Sequence, residues 1–216
     1  MEGSQFDKED GAGLSMELQL KDVVNSRGGK WDLDTKLDCK CTLSVKIDGN
    51  TMTNIFAVDN TGAEAFDFQV LLHTYYMVAE RKALDGSACN VKGLKGYAVA
   101  DKVTGEEYTL ESDDPITIQG DIVDRVYTPT DKVDLDVVVA TGPGHTITLK
   151  ANGEVDGKAV PVSSVVWNPI SKAKGMGDFG DDQFADMICV EPGLLSNVPS
   201  LEGGKTATLT QVITSV

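Results

Sequence analysis

The chain has 216 residues, 41% of them apolar and 25% charged, with 34 acidic against 19 basic side chains and a formal charge of −15. That composition supports an ordinary globular core, while its negative field argues against a polyanion such as nucleic acid as partner. No apolar run approaches the roughly 20 residues that span a bilayer, and the first ten residues carry acids where a signal peptide needs a basic end and an apolar stretch, so the expected address is cytoplasmic and without membrane.

Residues 1–14 are rich in Gly and charge and lack apolar periodicity, which predicts a flexible lead-in, with order beginning near Ser15 and a single domain over 15–216. From there the pattern has period two. Strands are expected over 16–23, 39–47 and 51–60, with turns at Asp48-Gly49-Asn50 and Asn60-Thr61-Gly62. Further runs follow at 66–78, 108–112, 116–127, 132–140, 145–151, 159–167, 187–191 and 207–216, separated by Gly, Asp, Asn and Pro. The best helical stretch, 179–187, allows one or two turns. Short strands without a crossover helix predict an all-β antiparallel sandwich.

Several local patterns carry no chemistry. The four cysteines, Cys39, Cys41, Cys89 and Cys189, are irregularly spaced and read as reduced thiols. Asp178-Phe179-Gly180 spells a kinase magnesium motif without the other kinase motifs, and Gly142-Pro143-Gly144-His145 lacks a serine nucleophile and reads as a turn with an exposed histidine. Asp178, Asp181 and Asp182 do not have the spacing of a twelve-residue calcium loop.

Two positions need a reason. His73, one of only two histidines, sits inside the apolar run Val70-Leu71-Leu72-His73-Thr74-Tyr75-Tyr76, where a buried imidazole costs free energy unless it is hydrogen-bonded. A satisfied core histidine and a functional one are equally compatible with composition. Glu191 closes Met187-Ile188-Cys189-Val190 just before Pro192-Gly193, a place from which a carboxylate can project into a cleft, although loop acids are common there.

The stretch Phe66-Asp67-Phe68-Gln69-Val70-Leu71-Leu72-His73-Thr74-Tyr75-Tyr76 resembles the histidine-bearing segment of the hexose-6-phosphate mutarotases, or glucose-6-phosphate 1-epimerases, of the aldose 1-epimerase superfamily. Later blocks agree in order: Gly93-Leu94-Lys95-Gly96, Asp124-Arg125-Val126-Tyr127, Val165-Val166-Trp167-Asn168-Pro169 and Gly175-Met176-Gly177-Asp178-Phe179, leading into Met187 to Gly193. The resemblance implies a large galactose mutarotase-like β-sandwich, with His73 as catalytic acid, Glu191 as catalytic base and Asp124 as a substrate-hydroxyl ligand. Ring opening takes the proton from the C1 hydroxyl and protonates the ring oxygen, which predicts an acid and a base flanking one small ring. No metal or organic cofactor is needed. Trp167 offers a sugar-facing ring or a core position.

The resemblance begins near Met16-Glu17-Leu18-Gln19-Leu20 and Trp31, well inside the family's domain, so the fold is expected to be N-terminally incomplete. The family's arginine-bearing phosphate segments have no match; Ser26-Arg27-Gly28-Gly29 falls too late in the order and reads as a loop. Lys95 and Arg125 remain as basic residues able to approach a ligand. Exposed sheet edges then predict lowered stability or pairing with another chain, and a monomer otherwise. The expected activity is interconversion of the α and β anomers of a hexose 6-phosphate; the alternatives are a non-catalytic carbohydrate-binding sandwich and an acidic structural one.

Overall fold

The computed structural model describes residues 3–5, 11–19, 22, 38–120 and 122–216; Leu20, Trp31 and the string Ser26 to Gly29 lie outside them. Two antiparallel sheets hold nearly all of the secondary structure. The larger runs in the order β1 (Gly3–Gln5), β2 (Ala12–Gln19), β3 (Cys39–Asp48), β4 (Thr51–Asn60), β16 (Thr206–Ser215), β12 (Thr146–Val155), β11 (Leu135–Thr141) and β7 (Cys89–Lys92), with β13 (Lys158–Val160) also against β12. The smaller runs β5 (Val70–Leu71), β15 (Met187–Leu194), β14 (Ser163–Asn168), β10 (Val123–Thr128), β8 (Ala98–Asp101) and β9 (Glu107–Thr109), with β6 (Tyr75–Met77) paired to β15 beyond β5. Among the described residues no helix is long and apolar enough to cross a membrane.

The alternation in the sequence explains the core. In β11 the buried residues are Leu135, Val137 and Val139, while Asp136 and Val138 face out. β16 likewise buries Ala207, Leu209, Gln211 and Ile213. These faces meet Val123, Tyr127, Val166, Ile188, Val190 and Leu194 of the smaller sheet in one apolar cluster. Period-two patterning therefore yields two one-sided sheets closed on each other, the expected sandwich. At Gly153 a Cβ would run into the Leu194 side chain, so the sheets approach there at a distance only glycine permits.

The structure departs from the sequence reading in instructive places. Strand pairing reaches Gly3–Gln5 and Ala12, N-terminal to Ser15. The run at 159–167 splits at Pro161 into β13 and β14, since proline has no amide to give a ladder. The helical stretch at 179–187 is a 3₁₀ turn, Gln183–Asp186. β7 and β8 were not anticipated, because their short runs lie among glycines and charged residues. All four cysteines are free.

One polar cluster crosses the core. Gln211, fully buried on β16, donates from Nε2 to Thr74 Oγ1 at 3.0 Å and to the Tyr76 hydroxyl at 3.5 Å, and its Oε1 accepts from Asn54 Nδ2 at 2.9 Å. Thr74 in turn donates to the Leu72 carbonyl at 3.2 Å. The larger sheet thus holds the segment between β5 and β6 by hydrogen bonds, and a buried polar group deprived of its partner is costly. Gln211→Leu leaves Thr74, Tyr76 and Asn54 each short of a partner and is expected to lower stability by about 1–3 kcal/mol. Urea unfolding should show a lower midpoint with an unchanged m-value.

Candidate active site

β15 is buried along its whole length, so it is covered on both faces. Ile188, Val190 and Leu194 belong to the core cluster, and by strand alternation Cys189 and Glu191 point to the opposite, outer face. Glu191 lies within the strand rather than at its end, since β15 continues through Pro192 and Gly193 to Leu194.

Both β5 and β6 pair with β15 in a single register: Leu71 is opposite Gly193, and Tyr75 is opposite Cys189. Continued across the gap between them, that register sets His73 directly opposite Glu191. The gap has a local cause. Pro192 accepts the Leu72 amide at 3.0 Å but has no N–H to return the bond, so the ladder opens at that step. The imidazole is therefore not a core side chain, as its apolar neighbours allowed; 47% of it is exposed, while Thr74 and Tyr76 turn inward to Gln211.

His73 Nδ1 stands 3.5 Å from Glu191 Oε1 and 3.9 Å from Cys189 Sγ. The first separation is longer than a good hydrogen bond. The ring is fixed by stacking on Tyr75 at 4.9 Å and by an edge contact with Trp167 at 5.9 Å, and Phe179 meets Trp167 at 6.4 Å. These partly exposed rings make an apolar wall around a carboxylate that is only 1% exposed. Trp167 thus belongs to the outer face, not the core.

Asp124 joins the same face by register: it is opposite Trp167, which is opposite Cys189, which is opposite Tyr75. Asn168, the neighbour of Trp167, is structural. It donates to the carbonyls of Phe184 at 2.9 Å and Met187 at 2.8 Å and accepts from the Ile170 amide, pinning the connection that carries Phe179. Asp182 and Asp186 bind Arg81 at 3.1 and 2.6 Å. Arg125 holds the buried Asp101 at 2.8 Å, and Lys95 holds Asp113 at 2.7 Å. Both basic residues considered for a ligand are thus engaged with acids.

Burial pushes the Glu191 carboxyl from its ordinary 4.5 up to about 7, reinforced by the charge of Asp124 and partly offset by a hydrogen bond from the Cys189 thiol. Burial also lowers the His73 pKa, with a hydrogen bond to its own backbone opposing. It raises that of the Cys189 thiol, as does the negative Glu191. Desolvation disfavours charge on both members of the pair, so burial favours a neutral carboxyl beside a neutral imidazole. Cys189, Tyr75 and Phe179 were not singled out from sequence, although alternation alone puts Cys189 beside Glu191.

The two-sheet antiparallel sandwich thus brings a buried carboxyl and a half-exposed imidazole into contact on the outer face of its smaller sheet. The aldose 1-epimerase family profile matches residues 14–214, and the chain belongs to that family. A Cenchrus ciliaris protein provisionally named glucose-6-phosphate 1-epimerase is 29% identical over 157 residues, 72% of this chain and 43% of that one. The structure of a Salmonella typhimurium protein provisionally named a mutarotase superposes with a TM-score of 0.73 at 24% identity, covering 99% of this chain and 63% of that one. A galactose mutarotase related enzyme of Lactobacillus acidophilus gives 0.65 at 10% identity, covering 100% and 71%. The chain thus spans less than half of the Cenchrus relative and under two thirds of the Salmonella one.

The carboxyl shift makes a stability prediction. Between about 4.5 and about 7 the folded Glu191 keeps a proton that the unfolded chain has lost, so stability falls as pH rises through that window. Glu191→Gln should remove roughly 3 kcal/mol of that fall. Paired denaturation curves at pH 4.5 and 8 measure it, and parallel pH dependence in the two proteins would contradict the burial argument.

Proposed function

We propose that this chain interconverts the α and β anomers of a hexose 6-phosphate, with glucose 6-phosphate as substrate, through His73 and Glu191. The observation that carries the reading is the 3.5 Å contact between a half-exposed imidazole and a desolvated carboxyl on the outer face of the smaller sheet. The contact is closer than an acid and a base standing on either side of a ring, and the chemistry explains why that suffices. The C1 hydroxyl and the ring oxygen are bonded to the same carbon, so a sugar presenting C1 edge-on meets both groups at once.

In the productive protonation state Glu191 is ionised and His73 is protonated. The carboxylate takes the C1 hydroxyl proton, His73 gives its proton to the ring oxygen, and the C1–O5 bond breaks to leave an aldehyde. Rotation about C1–C2 presents the other carbonyl face, and the groups run in reverse to close the ring. Asp124, on the same face, accepts a hydrogen bond from a ring hydroxyl, and the rings of Tyr75 and Trp167 offer apolar contact to the pyranose. The 6-phosphate specificity is supported by the likeness to the Cenchrus protein's named activity.

The test is anomer exchange of glucose 6-phosphate, followed by NMR and compared with free glucose. Wild type should accelerate exchange and prefer the phosphorylated sugar. His73→Asn and Glu191→Gln should each lower kcat by ~10²–10⁴, and Asp124→Asn should act mainly on KM. Wild-type rates in the first two variants would overturn the catalytic roles; retained sugar binding beside them would leave a carbohydrate-binding site instead.

A further inference from the structure

Beside the pair used in the mechanism lies a buried group without a task in bond making or breaking, the thiol of Cys189. It lies on β15 two residues before Glu191, on the same face, and its Sγ is 3.9 Å from His73 Nδ1. The sulfur, a carboxylate oxygen of Glu191 and the His73 nitrogen all fall within 4.8 Å of one another. We propose that these three atoms form a binding site for a single soft divalent metal ion, of which Zn²⁺ is the biological representative, and that the ion occupies the face where the sugar would sit.

The geometry fits the ion's demands. Tetrahedral zinc with Zn–S of about 2.3 Å and Zn–N or Zn–O of about 2.0–2.1 Å keeps its ligand atoms roughly 3.3–3.6 Å apart. The nitrogen–oxygen separation of 3.5 Å already meets that figure, and the sulfur–nitrogen separation of 3.9 Å exceeds it by a few tenths. Small side-chain rotations close the rest. Two ligands sit at i and i+2 on one strand, and the third is set opposite Glu191 by the register, so the backbone needs no rearrangement. Three protein ligands leave the fourth position to water, on the side where His73 is open to solvent.

Charge balance favours the ion as well. Binding breaks the S–H bond of Cys189, sends that proton to solvent and forms the metal–sulfur bond; any proton on Glu191 is released in the same way. One thiolate and one carboxylate then neutralise the dication, which replaces a desolvated acid by a paired one. Nearby Asp124 adds attraction. Sulfur and imidazole select Zn²⁺ or Cd²⁺ over Mg²⁺ and Ca²⁺, which need oxygen cages. The inference does not depend on the isomerase reading, since it concerns equilibrium binding alone.

The experiment is a titration of the reduced, full chain with Cd²⁺, monitored by sulfur-to-metal charge-transfer absorption in the ultraviolet, followed by competition with Zn²⁺. One equivalent should bind with the absorption of a single thiolate, and Zn²⁺ should displace it. Cys189→Ser should abolish the band, and His73→Ala, a change at a half-exposed position, should weaken Zn²⁺ binding on the order of a hundredfold. Cys41→Ser, which alters the Cys39 and Cys41 pair on β3, should keep the band intact. A band that survives Cys189→Ser and disappears with Cys41→Ser would overturn the assignment, as would a folded wild type that binds no Zn²⁺ or binds it equally after His73→Ala. Anomer-exchange rates enter none of these readings, so a failed metal site and a failed isomerase assignment remain distinguishable.

Discussion

Glu191 is a carboxyl held out of water on a strand that is covered on both faces, and the other features of the site answer to that fact. An isolated charge in such a place costs several kcal/mol, so the group raises its pKa to about 7 and keeps a proton through much of the neutral range. A thiol hydrogen bond, a nearby imidazole and a ring of aromatic side chains replace the water it has lost. A carboxylate whose proton affinity is raised to near neutrality is a stronger base for the proposed step than a solvated one.

The backbone makes this possible through a defect rather than a loop. Pro192 cannot return the hydrogen bond of Leu72, and the edge strand opens into β5 and β6 without changing register. An inserted residue would have turned the imidazole to the other face, because strand side chains alternate. An unbroken ladder would have made the same cross-strand pair with less freedom for the ring to tilt outward. The opened segment would be loose if nothing held it, and Gln211 of the opposite sheet supplies the hold through Thr74 and Tyr76. Core and site are thus parts of one arrangement: inward-facing Thr74 and Tyr76 are anchored so that outward-facing His73 and Tyr75 are presented.

Much of this was legible in the chain, and the illegible parts have physical causes. β3 and β4 follow the alternating pattern within a residue, since each is bounded by Gly, Asp or Asn turns. The run 66–78 reads as one strand because composition cannot show that Pro192, over a hundred residues away, will deny it a hydrogen bond. Gln211 likewise carries no local signal; it is a polar residue in a β-rich stretch whose partners come from another sheet. His73 and Glu191 stood out as polar residues in apolar runs, and their ordered flanking blocks pointed to the family that the profile match establishes. The burial of Glu191 inside a strand, rather than at a turn, was hidden because Pro192-Gly193 looks like punctuation.

For the proposed sugar phosphate, the electrostatics of the face distinguish the anomeric centre from the phosphate. Glu191 and Asp124 lie on the outer face of the smaller sheet, so a phosphate group cannot share their position without repulsion. In the proposed hexose 6-phosphate, C6 hangs from C5, which is bonded to the ring oxygen, so the phosphate swings clear of the two carboxylates by rotation about the C5–C6 and C6–O bonds. Arg125 and Lys95 are already bound to Asp101 and Asp113, and freeing either for a phosphate would leave an acid behind, buried in the case of Asp101. For Arg125 the cost of that exchange is of the same order as the gain from a new charge-assisted pair, so it contributes little net affinity, whereas Lys95 and Asp113 are exposed and their pair is cheap to open. In the proposed reading, contacts to the anomeric centre rest on β15 and the opened edge strand, and contacts to a phosphate call on cations other than Arg125.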